Sequence, residues 1–288
     1  MNQSPSQTTH LFTNRQITAM LLPLMAEQLL ITLMGMVNTF MVAHVGSYAI
    51  SAVSLVDSIN ILVIQAFYAL STGGTIVCAQ YLGQKKTGHA IRSAEQTLFI
   101  VTLISLVTAA FCILFDRQIL RLIFGTVDEE VFNSARTYFF YSSLSYPFIA
   151  LYDAGSSIFR AQKNTGFPMA MSLIANIANV IGNIILVLIL GQGVAGAAIS
   201  TLAARALCAL LVLLRLVKPR ENQPVYVANY TRIRPHMPLI RRILHIGIPA
   251  GIENSMFQFG KLAIQSSVST LGVTAMACLL YTSPSPRD

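Results

Sequence analysis

Residues Pro23–Val42 read PLMAEQLLITLMGMVNTFMV, an apolar run of membrane-spanning length that nevertheless contains Glu27, Gln28 and Asn38. A spanning helix needs about 20 mostly apolar residues. One central acid costs on the order of 3 kcal/mol at lipid depth, which the surrounding aliphatic side chains can offset. The stretch therefore predicts a membrane helix that turns its polar residues away from lipid.

The whole chain has the composition of a membrane protein. Of its 288 residues 54% are hydrophobic and 10% are charged, whereas soluble domains average about 25% charged residues. The net charge of +8 then favours basic loops beside anionic headgroups over a nucleic-acid partner. We expect an all-α integral membrane protein in a lipid bilayer.

Nothing in the sequence indicates an enzyme, a metal site or a cofactor. The segment GQGVAG at Gly191–Gly196 fits a dinucleotide-binding pattern, but a span-length apolar run precedes it instead of a short strand. We interpret it as a tight turn between two helices.

The apolar runs divide the chain into five regions. Residues 1–16 form an N-terminal segment, 17–217 a six-helix lobe, 218–242 a basic connection, and 243–277 the first helix of a second lobe. Residues 278–288, CLLYTSPSPRD, resemble a translated sequencing adaptor, so we expect them to be non-native. The seven expected spans are Ile17–Ala43, Ala49–Ala79, Ala94–Phe115, Tyr138–Phe159, Met169–Leu190, Val194–Val217 and Ile243–Ala277.

Basic residues predict the orientation, because cytoplasmic loops carry an excess of Lys and Arg. The alternate connections on one side hold only Arg117, Arg121 and Arg136. The other side holds Arg15, Lys85, Lys86, Arg92, Arg160, Lys163, Arg215, Lys218, Arg220, Arg232, Arg234, Arg241 and Arg242. We therefore predict a multi-pass protein of the cell membrane with a cytoplasmic N-terminus.

A weak internal repeat suggests a second lobe. Shifting the first span by 226 residues places Pro23 on Pro249 and Glu27 on Glu253. Six spans at about 38 residues each fill this interval, and an even number of spans preserves orientation. We interpret the chain as part of a twelve-helix, two-lobe transporter that is truncated in its second lobe.

Two interpretations of Glu27, the acid of the first span, are open. Glu27, Met34 and Asn38 fall on one helical face. They form either a hydrogen-bonding stripe that holds the bundle together or the wall of a water-accessible cavity with a titrating acid. Gln28 is a candidate for the same cavity.

Two further spans carry polar stripes. The fifth holds Asn176, Asn179 and Asn183, whose spacing suits helix packing and ligand contact equally well. The seventh has a stripe beside Glu253, in which Lys261 either neutralises a neighbouring acid or contacts substrate. That stripe comprises Asn254, Gln258, Lys261, Gln265 and Ser269.

Four further charged residues lie in or near the expected spans. Asp57, near the start of the second span, is a candidate coupling acid. Asp153 and Arg160, seven residues apart, are expected to form a structural ion pair. Arg205 lies inside the sixth span, and the sequence does not name its partner.

Several motifs together resemble the multidrug and toxic compound extrusion (MATE) family. They are GMVNTFMVAHVG in the first span, TGGTIVCAQYLGQKK after the second, FRAQKNTGFPMAMSLIANIANVIGNIILVLIL and GQGVAGAAISTLAAR. The resemblance extends from about Phe12 to Ala277. It implies two six-helix lobes and export of drugs or organic cations against a proton or sodium gradient by alternating access.

The resemblance also implies roles for individual positions. Family members often have Asp at the position of Asn38, and one branch has Asp at that of Asn183, with polar partners at Asn179 and Thr201. Both carboxylates are amides in this chain, and an amide does not release a proton near neutral pH. Glu27, Asp57 and Glu253 then remain as candidate proton- or sodium-binding acids.

Three alternatives to a drug antiporter remain open. A lipid-linked oligosaccharide flippase of the same superfamily would have a larger and more cationic cavity. A non-transporting membrane subunit would not need polar stripes on three spans. An intramembrane lipid-modifying enzyme would need clustered His, Asp or Glu, whereas the five histidines are scattered.

Overall fold

The computed structural model describes residues 14–124, 128–217, 223–227 and 235–269. Within these ranges side chains are described from Thr18 to Phe257, apart from Ser47 and Phe124. The described chain consists of eight α-helices and one π-helical segment, Ile184–Ile189, which continues α6. The helices are α1 (Asn14–Ala43), α2 (Ser47–Gly83), α3 (Thr87–Leu114), α4 (Asp116–Phe124), α5 (Glu129–Ala161), α6 (Gly166–Asn183), α7 (Gly193–Val217) and α8 (Met237–Ser269).

Seven long helices coincide with the seven expected spans, although residues 270–277 lie outside the described part. Five of them are long and apolar enough to cross a membrane: Thr18–Ala43, Tyr48–Gly83, Thr87–Leu114, Gly166–Ile189 and Gly193–Val217. The expectation of an all-α integral membrane protein is therefore confirmed. α5 is more polar than these helices because it is central, and it buries Ser142, Ser143, Ser145, Ser156 and Ser157 against its neighbours.

α2 and α5 form the centre of the lobe. α5 packs against α2, α7 and α3, while α1 packs mainly against α6, and α8 lies against α2. The rings of Phe67 and Tyr146 meet edge to face at the centre, with centroids 6.0 Å apart. By contrast, much of α1 points outward, and Leu22, Met25 and Phe40 are all more than 60% exposed. That outward surface is the one a lipid-facing helix requires.

The helices extend beyond the spans expected from hydropathy. α3 begins at Thr87 instead of Ala94, and α8 begins at Met237, inside the region assigned to the basic connection. Hydropathy detects only the apolar centre of a helix, whereas polar turns at its ends continue the same backbone hydrogen bonds. The amphipathic helix α4 was not predicted, because nine residues are too few for a span.

Two short connections have defined geometry. Gly191 and Gly193 adopt positive φ angles of 62° and 57°. The start of GQGVAG therefore makes the expected tight turn between the π-helical segment and α7, and the rest of the motif, from Gly193, begins α7. Part of the basic connection, residues 223–227, is held against the lobe. Gln162 donates from Nε2 to the Val225 carbonyl (3.2 Å) and accepts from the Val225 amide (3.1 Å). Val225 and Val227 are buried in the core of the lobe.

Glycines allow close helix contacts at two crossings. An ideal Cβ on Gly73 of α2 would lie 2.6 Å from the Ile243 carbonyl oxygen and 2.9 Å from the Gly247 nitrogen, both on α8. A Cβ on Gly155 of α5 would collide with Val212 of α7. Small residues let membrane helices approach closely in this way.

We predict that Gly73→Ala destabilises the packing of α8 by about 1–3 kcal/mol, because the added methyl group meets backbone atoms that cannot rotate away. The control is Gly35→Ala, since nothing lies within 4 Å of a Cβ at that position. Unfolding in mixed micelles by added dodecyl sulfate measures both variants. Equal stability of the two would contradict the proposed crossing.

Candidate functional site

Glu27 is buried in the lobe and paired. The residue is 3% exposed, and Arg160 Nη2 donates to its Oε1 at 2.7 Å. The Tyr152 hydroxyl donates to the same oxygen at 3.2 Å and is also 3.2 Å from the Pro168 carbonyl.

The expected Asp153–Arg160 ion pair is wrong, because Arg160 pairs with Glu27. Two helical turns separate those residues by about 10 Å, and Arg160 instead reaches sideways from the end of α5 to α1.

A cavity of about 540 Å³ lies beside this pair, between α1, α2, α5, α6 and α7. This volume falls within the usual range for small-molecule sites. Four charged residues line the cavity: Glu27, Asp153, Arg160 and Arg205. Gln28 and Met34 line it too, so the cavity expected along this face of α1 is present, but Asn38 is not among its lining residues.

Asp153 and Arg205 were not predicted as cavity residues. Asp153 Oδ2 is buried and has no hydrogen-bond partner. Arg205 donates from Nη1 to the hydroxyl of Ser145 at 2.6 Å, and this serine is the partner that the sequence could not name. In the sequence, both residues stood out as charges within expected membrane spans. The sequence could not show that they line the same cavity, because this depends on how α5 packs against α7.

The amides form a separate cluster towards the other ends of α1 and α6. Asn183 Nδ2 donates to Asn38 Oδ1 (2.8 Å) and to Asn179 Oδ1 (3.1 Å). Asn179 Nδ2 then donates to Thr201 Oγ1 at 3.1 Å. Asn176 stands apart and donates to the Ser172 carbonyl of its own helix. We call Asn38, Asn179, Asn183 and Thr201 the amide cluster.

Asp57 belongs to a third polar group, between α2 and α5. Its Oδ1 accepts from Asn60 Nδ2 at 3.1 Å and from the Tyr138 hydroxyl at 3.4 Å. The Tyr146 hydroxyl donates to Asn60 Oδ1 at 2.9 Å. Asp57 is thus held by neutral donors and is not among the residues that line the cavity.

Of the candidates on α8, Glu253 and Asn254 are not among the residues that line the cavity. Glu253 and Asn254 are exposed on that helix. The side chains of Gln258, Lys261 and Gln265 lie outside the described residues. Within the described chain, no group of three His, Cys, Asp or Glu residues is arranged to hold a metal ion.

Comparison with known proteins gives a family and a fold. The MatE family model matches residues 23–185, more than half of the chain. The uncharacterized transporter YisQ of Bacillus subtilis is 25% identical, with 90% of this chain aligned to 57% of that protein. The probable multidrug resistance protein NorM of Thermotoga maritima is 26% identical over 91% of this chain and 56% of the relative.

Solved structures agree in fold. A MOP superfamily transporter from Pyrococcus furiosus superposes with a TM-score of 0.83 at 19% identity, covering 91% of this chain and 57% of that one. An outward-facing multidrug resistance MATE family transporter gives 0.81 at 20% identity, covering 90% and 56%. The chain thus spans just over half the length of these relatives.

We predict that Arg160→Gln destabilises the lobe by about 3 kcal/mol, because it leaves the buried Glu27 carboxylate without its cation. The double variant Glu27→Gln/Arg160→Gln should recover most of this loss, since two amides can hydrogen-bond without a buried charge. Unfolding by added dodecyl sulfate measures the complete double-mutant cycle. Independent, additive effects of the two substitutions would show that the residues do not interact.

Proposed function

Because the chain belongs to the MatE family of multidrug and toxic compound extrusion proteins, we propose that it contributes the first lobe of a cation-coupled antiporter that exports drugs or organic cations. The observation that supports this most is the charged cavity between five helices, with a buried ion pair in its wall. Several relatives carry names that describe multidrug export, including the multidrug export protein MepA of Staphylococcus aureus.

Alternating access in this proposal needs a second lobe. Two-lobe transporters move one repeat against the other around a shared site. The chain spans 56–57% of the relatives' lengths, and α8 repeats the proline and acid of α1, with Pro23 and Pro249 both inside helices. α8 would therefore begin the second lobe, joined to the first by the basic connection on the cytoplasmic side of the cell membrane.

Glu27 is the proposed coupling acid. The amide cluster consists of neutral groups that hydrogen-bond to one another, so it has no charge to change. Glu27 can be neutralised by H⁺ or balanced by Na⁺ once Arg160 moves away, because an unpaired carboxylate is costly at lipid depth. The ion pair would then stabilise the conformation described here, and cation binding would favour the other conformation.

The flippase alternative finds less support in the cavity. A site for lipid-linked oligosaccharide would carry excess positive charge, whereas this cavity has two carboxylates for two guanidinium groups. A non-transporting membrane subunit would not need a cavity of drug-binding size.

We predict that the full-length transporter with Glu27→Gln/Arg160→Gln loses at least about nine-tenths of its gradient-driven export of a fluorescent organic cation. The double variant removes both charges together and so avoids the stability loss of a broken pair. Asn38→Ala is the matched control on the same helix, because Asn38 belongs to the amide cluster and does not line the cavity, and it should leave export dependent on the gradient. Proteoliposomes with imposed pH or sodium gradients measure both variants. Export at the unmodified rate by the double variant would show that the pair is only structural.

We also predict that the 288-residue chain alone, reconstituted in proteoliposomes, does not export this cation. The full-length protein in matched vesicles is the control. Gradient-driven export by the isolated chain would contradict the two-lobe requirement.

A further inference from the structure

The short helix α4 is the one described helix that is neither a membrane span nor part of the cavity wall. It follows α3 after a single residue, Phe115, and has the sequence DRQILRLIF. Its Leu120 is buried at 1% exposure, and the helix packs against α5 and the end of α3. No residue of α4 lines the cavity. The role of this helix is therefore a separate question from transport through the lobe.

The length of α3 places α4 at the edge of the bilayer. Between Glu95 and Asp116 the chain has a run of 20 residues without a charged side chain, residues 96–115. A helix of that length measures about 30 Å, which is the thickness of the hydrocarbon core of a typical bilayer. Phe111 and Leu114, near the end of this run, are exposed, as lipid-facing side chains should be. α4 therefore begins at the level where the hydrocarbon core ends.

Polar contacts fix the orientation of α4 on the lobe. Arg136 of α5 donates from Nε to Asp116 Oδ2 at 2.6 Å, and the Arg117 amide donates to Asp116 Oδ1 at 2.5 Å. The guanidinium group of Arg121 lies over the Phe132 ring of α5, 5.6 Å from its centroid. α4 is thus attached to α5, the central helix of the lobe, at its first residue and again more than one turn later.

The side chains that α4 leaves exposed differ in chemistry from one side of the helix to the other. Leu122 is 87% exposed, the highest value among the large hydrophobic side chains that the structure describes, and Ile123 is also exposed. Arg117 is exposed too, and no ion pair joins it to another described residue. At 3.6 residues per turn, Arg117 lies about 140° from Leu122 around the helix axis. α4 therefore presents aliphatic side chains on one side and a guanidinium group on the other.

A phospholipid surface suits both sides of this helix. Amphipathic helices at this level place their apolar face about 5–10 Å into the boundary between headgroups and acyl chains. The lipid that covers Leu114 on α3 would continue onto Leu122, while the phosphate groups match the guanidinium of Arg117. The neighbouring acids Glu129 and Glu130 lie on α5, in its exposed first turn, where the helix dipole stabilises them. Their position leaves the aliphatic side of α4 without any acid.

We infer that α4 is a membrane-interface helix that binds the phospholipids of the adjacent leaflet. Acyl chains cover Leu122 and Ile123, and the phosphate groups bind Arg117. Because the Asp116–Arg136 ion pair joins α4 to α5, these lipids hold this end of the central helix at a fixed depth. This lipid-binding surface lies outside the cavity, and the inference does not depend on the proposed antiport.

The sequence allows a direct measurement of depth, because the 288 residues include no tryptophan. A single introduced tryptophan therefore reports on one position. Leu122→Trp reports on α4, and Leu106→Trp is the matched control, since Leu106 is an exposed leucine at the middle of the uncharged run of α3. Each variant of the 288-residue chain is reconstituted in phosphatidylcholine vesicles whose acyl chains carry bromine either near the headgroup or near the chain end. Bromine quenches tryptophan fluorescence only at short range.

We expect bromine near the headgroup to quench Leu122→Trp at least about twofold more than bromine near the chain end, because the apolar face of an interface helix enters only the outermost acyl layer. Leu106→Trp should show the opposite order. Arg117→Trp, on the other side of α4, should be quenched less by either lipid and more by acrylamide in the water. Ile123→Trp repeats the measurement at a second aliphatic position, and size-exclusion profiles establish that each variant is folded.

Three results would overturn the inference. Quenching of Leu122→Trp and Ile123→Trp by acrylamide but not by bromine would place α4 in water. Stronger quenching by bromine near the chain end would place it in the hydrocarbon core. Protection from both quenchers would show that protein covers this side of α4, for example a second copy of the chain. None of these results bears on export, so they leave the proposed function to its own tests.

Discussion

The lobe depends on how a carboxylate in a membrane helix is neutralised. Lipid offers no hydrogen bonds, so Glu27 has to find its partner on another helix, and that partner is Arg160 at 2.7 Å. The pair ties α1 to α5, although α1 packs mainly against α6. Tyr152 adds a hydrogen bond from α5 to the same oxygen, and the cavity lies directly beside these groups.

The polar residues of the lobe divide into groups with different chemistry. The amide cluster joins α1, α6 and α7 through neutral hydrogen bonds, so its strength does not depend on ionisation. The Glu27–Arg160 pair joins α1 to α5 through opposite charges and is therefore sensitive to any cation that competes for the carboxylate. A bundle that contains both can keep one set of contacts while another changes. This division is the physical basis for proposing that coupling occurs at Glu27.

The sequence predicted the helices well and their mutual contacts poorly. Apolar runs placed seven long helices, and the spacing of Asn179 and Asn183 correctly put them on one face of α6. Periodicity, however, describes one helix at a time. It could not show that Asn183 reaches Asn38, 145 positions away, or that Arg205 meets Ser145. The Asp153–Arg160 prediction failed for the same reason, because spacing along α5 gave no information about the acid on α1.

The central claim is that the coupling cation acts at Glu27 and not at the amide cluster. If binding of the coupling cation changes the affinity for the substrate, then binding of the substrate changes the affinity for the cation by the same factor. The most direct measurement is therefore the affinity of the full-length protein for a fluorescent organic cation as a function of pH and of sodium concentration. The account predicts that the dependence on one of these ions disappears in Glu27→Gln/Arg160→Gln and persists in Asn38→Ala. A dependence that persists in the pair variant and disappears in Asn38→Ala would contradict it.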